Sequence, residues 1–264
     1  MQKSQCLFVL GCLGASLLGP ITASAGVVVH MSSRNLPNGE AKDHQVLYAQ
    51  NGMFRIDRLD PQGRVDQIQL IRDGVIWDID VPQRTFRKFD KNLLSAQQSG
   101  LQTKMRAYLD RLPPEKRAQF EQRLGAMQQQ TYTVTDSGHS EHVGSYSCEV
   151  WQVARQGRVI SENCIASKSS LKGGDELVEA AHKAAAAASE ALAGIPQAAR
   201  AMGPTLALYN KMDGFPVLVR RLSAGKADSE DTVTSIDTQA LPADKFAIPK
   251  GFTEKSLGAG GEED

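Results

Sequence analysis

The chain has 264 residues, with 30 basic and 30 acidic side chains and a formal net charge of zero. With no basic stripe and no interleaving of basic and aromatic residues, nothing in it steers toward nucleic acid or an anionic membrane. The length suits one large domain with a sizeable core.

The first residues read as a secretory signal peptide over 1–25: Lys3, an apolar run from Leu7 to Leu18, and Ala23-Ser24-Ala25 before a cleavage point between Ala25 and Gly26. Cys6 and Cys12 leave with that leader, and a lipid anchor on Cys12 is the rival reading. No later stretch reaches the roughly 20 apolar residues of a membrane span, so the mature chain carries no expected transmembrane segment. Residues 26–257 are expected to form a single domain with helical insertions over about 92–129 and 175–202, and 258–264 to form a disordered tail.

Gly26–Ser32 reads as the first strand. Asn51-Gly52 then joins strands Gln45–Gln50 and Met53–Arg58, and Asp73-Gly74 joins Asp66–Arg72 and Val75–Val81, both as two-residue hairpins. In the second hairpin Ile68, Leu70, Val75, Trp77, Ile79 and Val81 share a face; Gln67, Gln69, Asp78 and Asp80 share the other with Ile71 and Ile76. One-sided alternation belongs to antiparallel strands covering something apolar. Arg84–Phe89 reads as a flanking strand.

Leu101, Met105, Tyr108 and Leu112, then Phe120, Leu124 and Met127, repeat at helical spacing around Pro113-Pro114 and are the expected cover for that face. Strands resume at Thr131–Thr135 and continue through a hairpin. With Arg155-Gln156-Gly157 as a three-residue loop, Ala154 faces Arg158 and Cys148 lies opposite Cys164, so these two cysteines are expected to form a disulfide. A thin stripe of Leu177, Ala181, Ala184, Ala185, Ala188 and Leu192 marks a helix from Asp175 to about Ala193, read either as a packing helix or as a movable lid. Thr205–Met212, Pro216–Ala224 and Thr232–Thr238 are the last expected strands. The count suits an α+β, mainly β protein built on a curved sheet or partial barrel.

His139-Ser-Glu-His142, with Asp136 nearby, is the densest group of metal-ligand residue types, but it lacks a second ligand pair and reads as a solvated loop. His30, His44 and His182 stand alone in sequence. No nucleophile elbow, phosphate loop or paired-cysteine motif is present, so neither a catalytic group nor a cofactor is assigned. Trp77 and Trp151 read as core residues or as cavity lining.

Several segments resemble the exported bacterial family known as domain of unknown function 4412, itself similar in pattern to LolA-like lipoprotein carriers. They are Asp73-Gly-Val-Ile-Trp-Asp-Ile-Asp-Val-Pro-Gln-Arg-Thr-Phe86, Leu112-Pro-Pro-Glu-Lys-Arg-Ala-Gln-Phe-Glu-Gln122, Gly144-Ser-Tyr-Ser-Cys148, Gly214-Phe-Pro216 and Phe246–Phe252. The alanine-rich stretch after Gly174 departs from the pattern. The resemblance implies a strongly curved antiparallel sheet, LolA-like, with helices on its concave side sheltering acyl chains. The leading expectation is therefore a periplasmic, non-enzymatic protein that binds a lipid, acyl chain or lipoprotein, with Ile68, Leu70, Val75, Trp77 and Ile79 facing the ligand. A cell-envelope interaction or assembly factor that docks another envelope protein is the alternative, and a metal-dependent hydrolase comes third.

Overall fold

In the computed structural model, residues 25–90, 100, 103, 105–128, 131–192 and 196–255 are described. Residues 1–24 of the expected signal peptide, Leu101 and the tail after residue 257 lie outside them. Twelve strands form one sheet: β1 (Gly26–Asn35), β2 (Lys42–Gln50), β3 (Met53–Leu59), β4 (Val65–Arg72), β5 (Val75–Asp80), β6 (Thr85–Phe89), β7 (Tyr132–Val143), β8 (Tyr146–Arg155), β9 (Arg158–Ser167), β10 (Gly214–Ser223), β11 (Lys226–Gln239) and β12 (Thr253–Glu254). The spatial order is β12-β6-β5-β4-β3-β2-β1-β11-β10-β9-β8-β7. Every neighbouring pair is antiparallel except β12 with β6.

The hairpins follow from their turns. Asn51 and Gly52 have φ of 53° and 71°, Asp73 and Gly74 of 52° and 74°, the double positive φ whose twist matches paired strands. Gln50 consequently faces Met53, and Arg72 faces Val75.

The stapled hairpin closes differently from expectation. Gln156 and Gly157 alone make its turn, so Arg155 faces Arg158, and a bulge at Val153 and Ala154 shifts the ladder again until Cys164 faces Val150. Cys148 is thus a diagonal neighbour of Cys164. The disulfide still forms, across a Cα separation of 5.3 Å, because residues two apart on a strand share a face and diagonal neighbours are within reach.

Three helices have defined bounds: α1 (Pro114–Gln128), α2 (Gly174–Leu192) and α3 (Pro196–Tyr209). Among the described residues no helix is long and apolar enough to cross a membrane. The cover for the sheet comes from α2 and α3. Leu177, Val178, Ala180, Ala181, Ala184, Ala187, Ala188 and Ala191 of α2 are buried with Val27, Val29, Phe215 and Ile236. Alanine keeps this helix close to the strands, and Glu176 holds its start by accepting from the Gly52 N–H at 3.2 Å. None of the described side chains of 103–122 is buried; Tyr108 and Phe120 meet edge-on with ring centres 6.0 Å apart, so this segment is not the principal cover.

Two elements differ in type from expectation. Thr205–Tyr209 belongs to α3 rather than to a strand; Leu208 near its end and Met212 just beyond it pack with Val153 and Ile165. Gly203 lets α3 lie against the ring of Tyr132, which any Cβ there would strike. The segment His139–His142 continues β7 rather than forming a loop. An interruption precedes it: Gly138 has φ of 71°, its N–H donates to Asp136 at 2.8 Å, and the register with β8 shifts between Asp136 and Ser140.

Candidate functional site

Strand alternation gives the β1–β6 half of the sheet two faces. Ile68, Leu70, Trp77 and Ile79 point to one of them, where Phe246 is buried among them and Tyr48, Met53, Val75, Phe86, Leu241, Ile248 and Phe252 pack around. Polar contacts fasten the chain after β11 there. Arg72 donates to the Phe246 carbonyl at 2.8 Å and lies over the Trp77 ring, and Arg55 donates to the Lys245 carbonyl at 2.7 Å. Asp57, 2% exposed, pairs with Arg55 at 2.5 Å and Lys245 at 3.3 Å, and the Lys245 ammonium also sits 3.7 Å from the Tyr48 ring centre. This outer face is filled by the protein itself. All five residues expected to face a ligand, Ile68, Leu70, Val75, Trp77 and Ile79, lie on it.

The other face of the same strands opens onto a cavity of about 1370 Å³ beneath α2 and α3. Met31, Leu47, Phe54, Ile56, Ile71, Ile76 and Phe89 give it an apolar half on β1–β6. Ala181, Ala184, Ala185 and Ala188 of α2, with Met202, Leu206 and Tyr209 of α3, line its helical side. Burial pushes the Tyr209 phenol above its ordinary range, so it stays neutral there. His182 sets its ring edge against Tyr209 and donates from Nε2 to the Met212 carbonyl at 3.2 Å.

The far half of the cavity carries a polar network among the apolar side chains of Ile160, Phe215, Val219 and Leu222. Ser161, Arg221, Ser229 and Asn35 form one cross-strand row over β9, β10, β11 and β1; Asn163, Val219 and Asp231 form the next. Ser161, Asn163 and Asp231 are buried. Asn163 donates to Ser161 Oγ at 3.1 Å, and Arg221 donates to Asp231 Oδ2 at 2.6 Å. The chamber is amphipathic: aliphatic and aromatic surface interspersed with Gln67, Gln69 and Asp78 on β1–β6, joined to the buried polar network on β9–β11.

Other candidate residues are dispersed. Trp151 packs beside Val153, Leu208 and Met212. His30, His139 and His142 are exposed and His44 is half-buried. Glu141 of β7 is clasped at both oxygens by Arg220 of β10, at 2.9 Å each. That bidentate bond holds the Glu141 carboxyl below its ordinary value of 4.5 against an opposing desolvation effect. Among the described residues no group of three or more His, Cys, Asp or Glu is placed to hold a metal ion.

The profile of a family described as a domain of unknown function (DUF4412) matches residues 115–252, just over half of the chain. The chain belongs to that family. The DUF4412 match spans α1 through the segment around Phe246, hence the helical side and, Asn35 apart, the polar network of the cavity; β1–β6, with the Asp73–Phe86 segment, lie outside it. An uncharacterized conserved protein from Thermus thermophilus is similar over 88% of this chain and 90% of its own, at 11% identity and a TM-score of 0.41. The structure of PNGF-II is similar over 89% of this chain and 31% of its own, at 9% identity and a TM-score of 0.43. A LolA superfamily protein, NE2245 from Nitrosomonas europaea, is similar over 84% and 89%, at 9% identity and a TM-score of 0.25. No curated protein matches the chain.

Proposed function

We propose that this protein is an exported, non-enzymatic carrier that shelters an acyl-bearing ligand in the cavity between the sheet and the helices α2 and α3. The observation that carries this reading is the size and character of the chamber. At about 1370 Å³ it exceeds the roughly 300–1,000 Å³ of most small-molecule pockets, and its β1–β6 half offers aliphatic and aromatic surface of the kind that takes up hydrocarbon. In this reading the sheet curves around the ligand as a partial barrel and the alanine-rich α2 is the element that moves to admit it.

Export is supported by the Cys148–Cys164 disulfide, which persists in oxidising compartments. The mechanism is sequestration, so no reacting group is assigned. Docking of an envelope partner has less support, since it needs an exposed apolar patch. Among the described residues Tyr108, 54% exposed, is the one large apolar side chain at the surface.

Native mass spectrometry of protein purified from the periplasm without detergent, followed by organic extraction, tests the proposal. A stoichiometric lipid or acyl compound is the expected result. A protein that arrives empty and takes up no acyl compound from added lipid overturns it.

A further inference from the structure

Asp231, which lines the far half of the cavity, has a buried carboxylate oxygen that lacks a partner among the described residues. Asp231 is 5% exposed, lines the chamber, and has its two carboxylate oxygens in different circumstances. Oδ2 accepts from Arg221 Nη2 at 2.6 Å, whereas Oδ1 is buried and accepts no hydrogen bond from any described group. Leaving a buried carboxylate oxygen unpaired is costly, and natural structures rarely tolerate it without a functional reason. The neighbours do not relieve it: Val219, its partner across the β10–β11 ladder, is apolar, and Asn163 spends its amide on Ser161 and the Trp151 carbonyl.

We infer that Asp231 is the head-group anchor of the cavity, its carboxylate turning to present Oδ1 to the ammonium or hydroxyl of an amphiphile whose chain lies along Leu47, Ile56 and Ile71. This rests on the carrier reading and adds to it a ligand class. A head group that donates satisfies Oδ1 and is strengthened by the charge it meets. A carboxylate head group brings a second negative charge and no proton to give, so it is disfavoured beside Asp231 even with Arg221 near. Ser161, Ser229 and Asn35 remain to bind the rest of a polar head.

Three probes of equal chain length separate the possibilities: dodecylamine, dodecanol and dodecanoate, titrated calorimetrically at neutral pH below their micelle concentrations into delipidated protein. The wild-type protein is expected to bind dodecylamine and dodecanol about ten-fold more tightly than dodecanoate, the scale of one charge-assisted hydrogen bond. Asp231→Asn is expected to erase most of that preference while keeping affinity for the chain. Asp228→Asn, a change at a solvent-exposed carboxylate on the cavity rim, is expected to keep it. Equal wild-type affinity for all three probes overturns the anchor while leaving the carrier reading standing. So does equal loss of preference in the two variants, which would mark a general effect of acidity. Failure of every probe to bind overturns the carrier reading and the anchor with it. Equal wild-type affinities overturn the anchor even if Asp231→Asn fails to fold.

Discussion

The two faces of the β1–β6 half are made from the same strands, alternate residue by residue, and end in different states. On the outer face Leu70, Trp77 and Ile79 are sealed by Phe246 and its neighbours; on the inner face Ile56, Ile71 and Ile76 border an open chamber. On β4 and β5 the outer face is the more uniformly apolar, with β3 adding the buried Arg55–Asp57 pair beside it, and it is the one the protein fills. The inner face mixes Ile71 and Ile76 with Gln67, Gln69 and Asp78, and it is the one left open. Uniform apolarity in a strand records burial without saying whether protein or ligand does the burying. A mixed face bordering a void is the better mark of a binding surface, because specificity needs a few polar groups among apolar ones.

The largest effect expected from breaking this contrast is at Phe246, which is 1% exposed. Phe246→Ala should cost about 3–5 kcal/mol in urea unfolding, as a cavity in a packed core does, while leaving dodecylamine affinity intact in protein that remains folded. Loss of binding at unchanged stability would put the ligand on the outer face instead. Next comes the staple: the double change Cys148→Ser and Cys164→Ser should lower stability by about 3 kcal/mol through the freed loop, with the order of probe affinities unaltered. A reordering of probe affinities would give the disulfide a part in the site. Smaller still, Ile56→Ala on the inner face should cost only about 1 kcal/mol, since its side chain already borders empty space; Leu70→Ala, one ladder position away on β4, should cost about 2–5 kcal/mol. Equal costs would show the inner face to be packed as tightly as the outer.

The smallest effect concerns the clasp between β7 and β10. Because Arg220 depresses the Glu141 pKa, the pair stabilises the fold above the carboxyl's ordinary value of 4.5, and that contribution is lost as pH falls below it through the depressed value. Both side chains are partly exposed, which limits the contribution to under about 1 kcal/mol. Glu141→Gln should therefore lower the neutral plateau by up to that amount, flatten the acid limb, and leave stability below the depressed value nearly unchanged. An acid limb identical to wild type would remove the clasp from the account.

Much of the architecture is legible in local chemistry. Asn51-Gly52 and Asp73-Gly74 announce their hairpins because few residue pairs accept two successive positive φ values. The pairing of Cys148 with Cys164 is legible as well, although the turn and bulge between them shift the register by two residues, an even slip that preserves the shared face. Thr205–Tyr209 misleads because Leu206 and Leu208 alternate as in a strand, and only the distant Val153 and Ile165 select the helix. The site is the least legible part. Asp231 becomes meaningful only when β9, β10 and β11 bring Arg221 and Asn163 beside it, and its signal is a pairing across the Ala224-Gly225 turn: Arg220-Arg221 against Ser229-Glu230. Phe246 gives no sequence sign of which face it will cover.

Which face holds the ligand is tested most directly by photolabelling with a dodecylamine bearing a diazirine on its chain, with the modified residues located by tandem mass spectrometry. The account predicts label on Leu47, Ile56, Ile71 or Ile76, and on the alanines of α2 that line the chamber. Label confined to Tyr48, Leu70, Trp77 or Phe246 would contradict it.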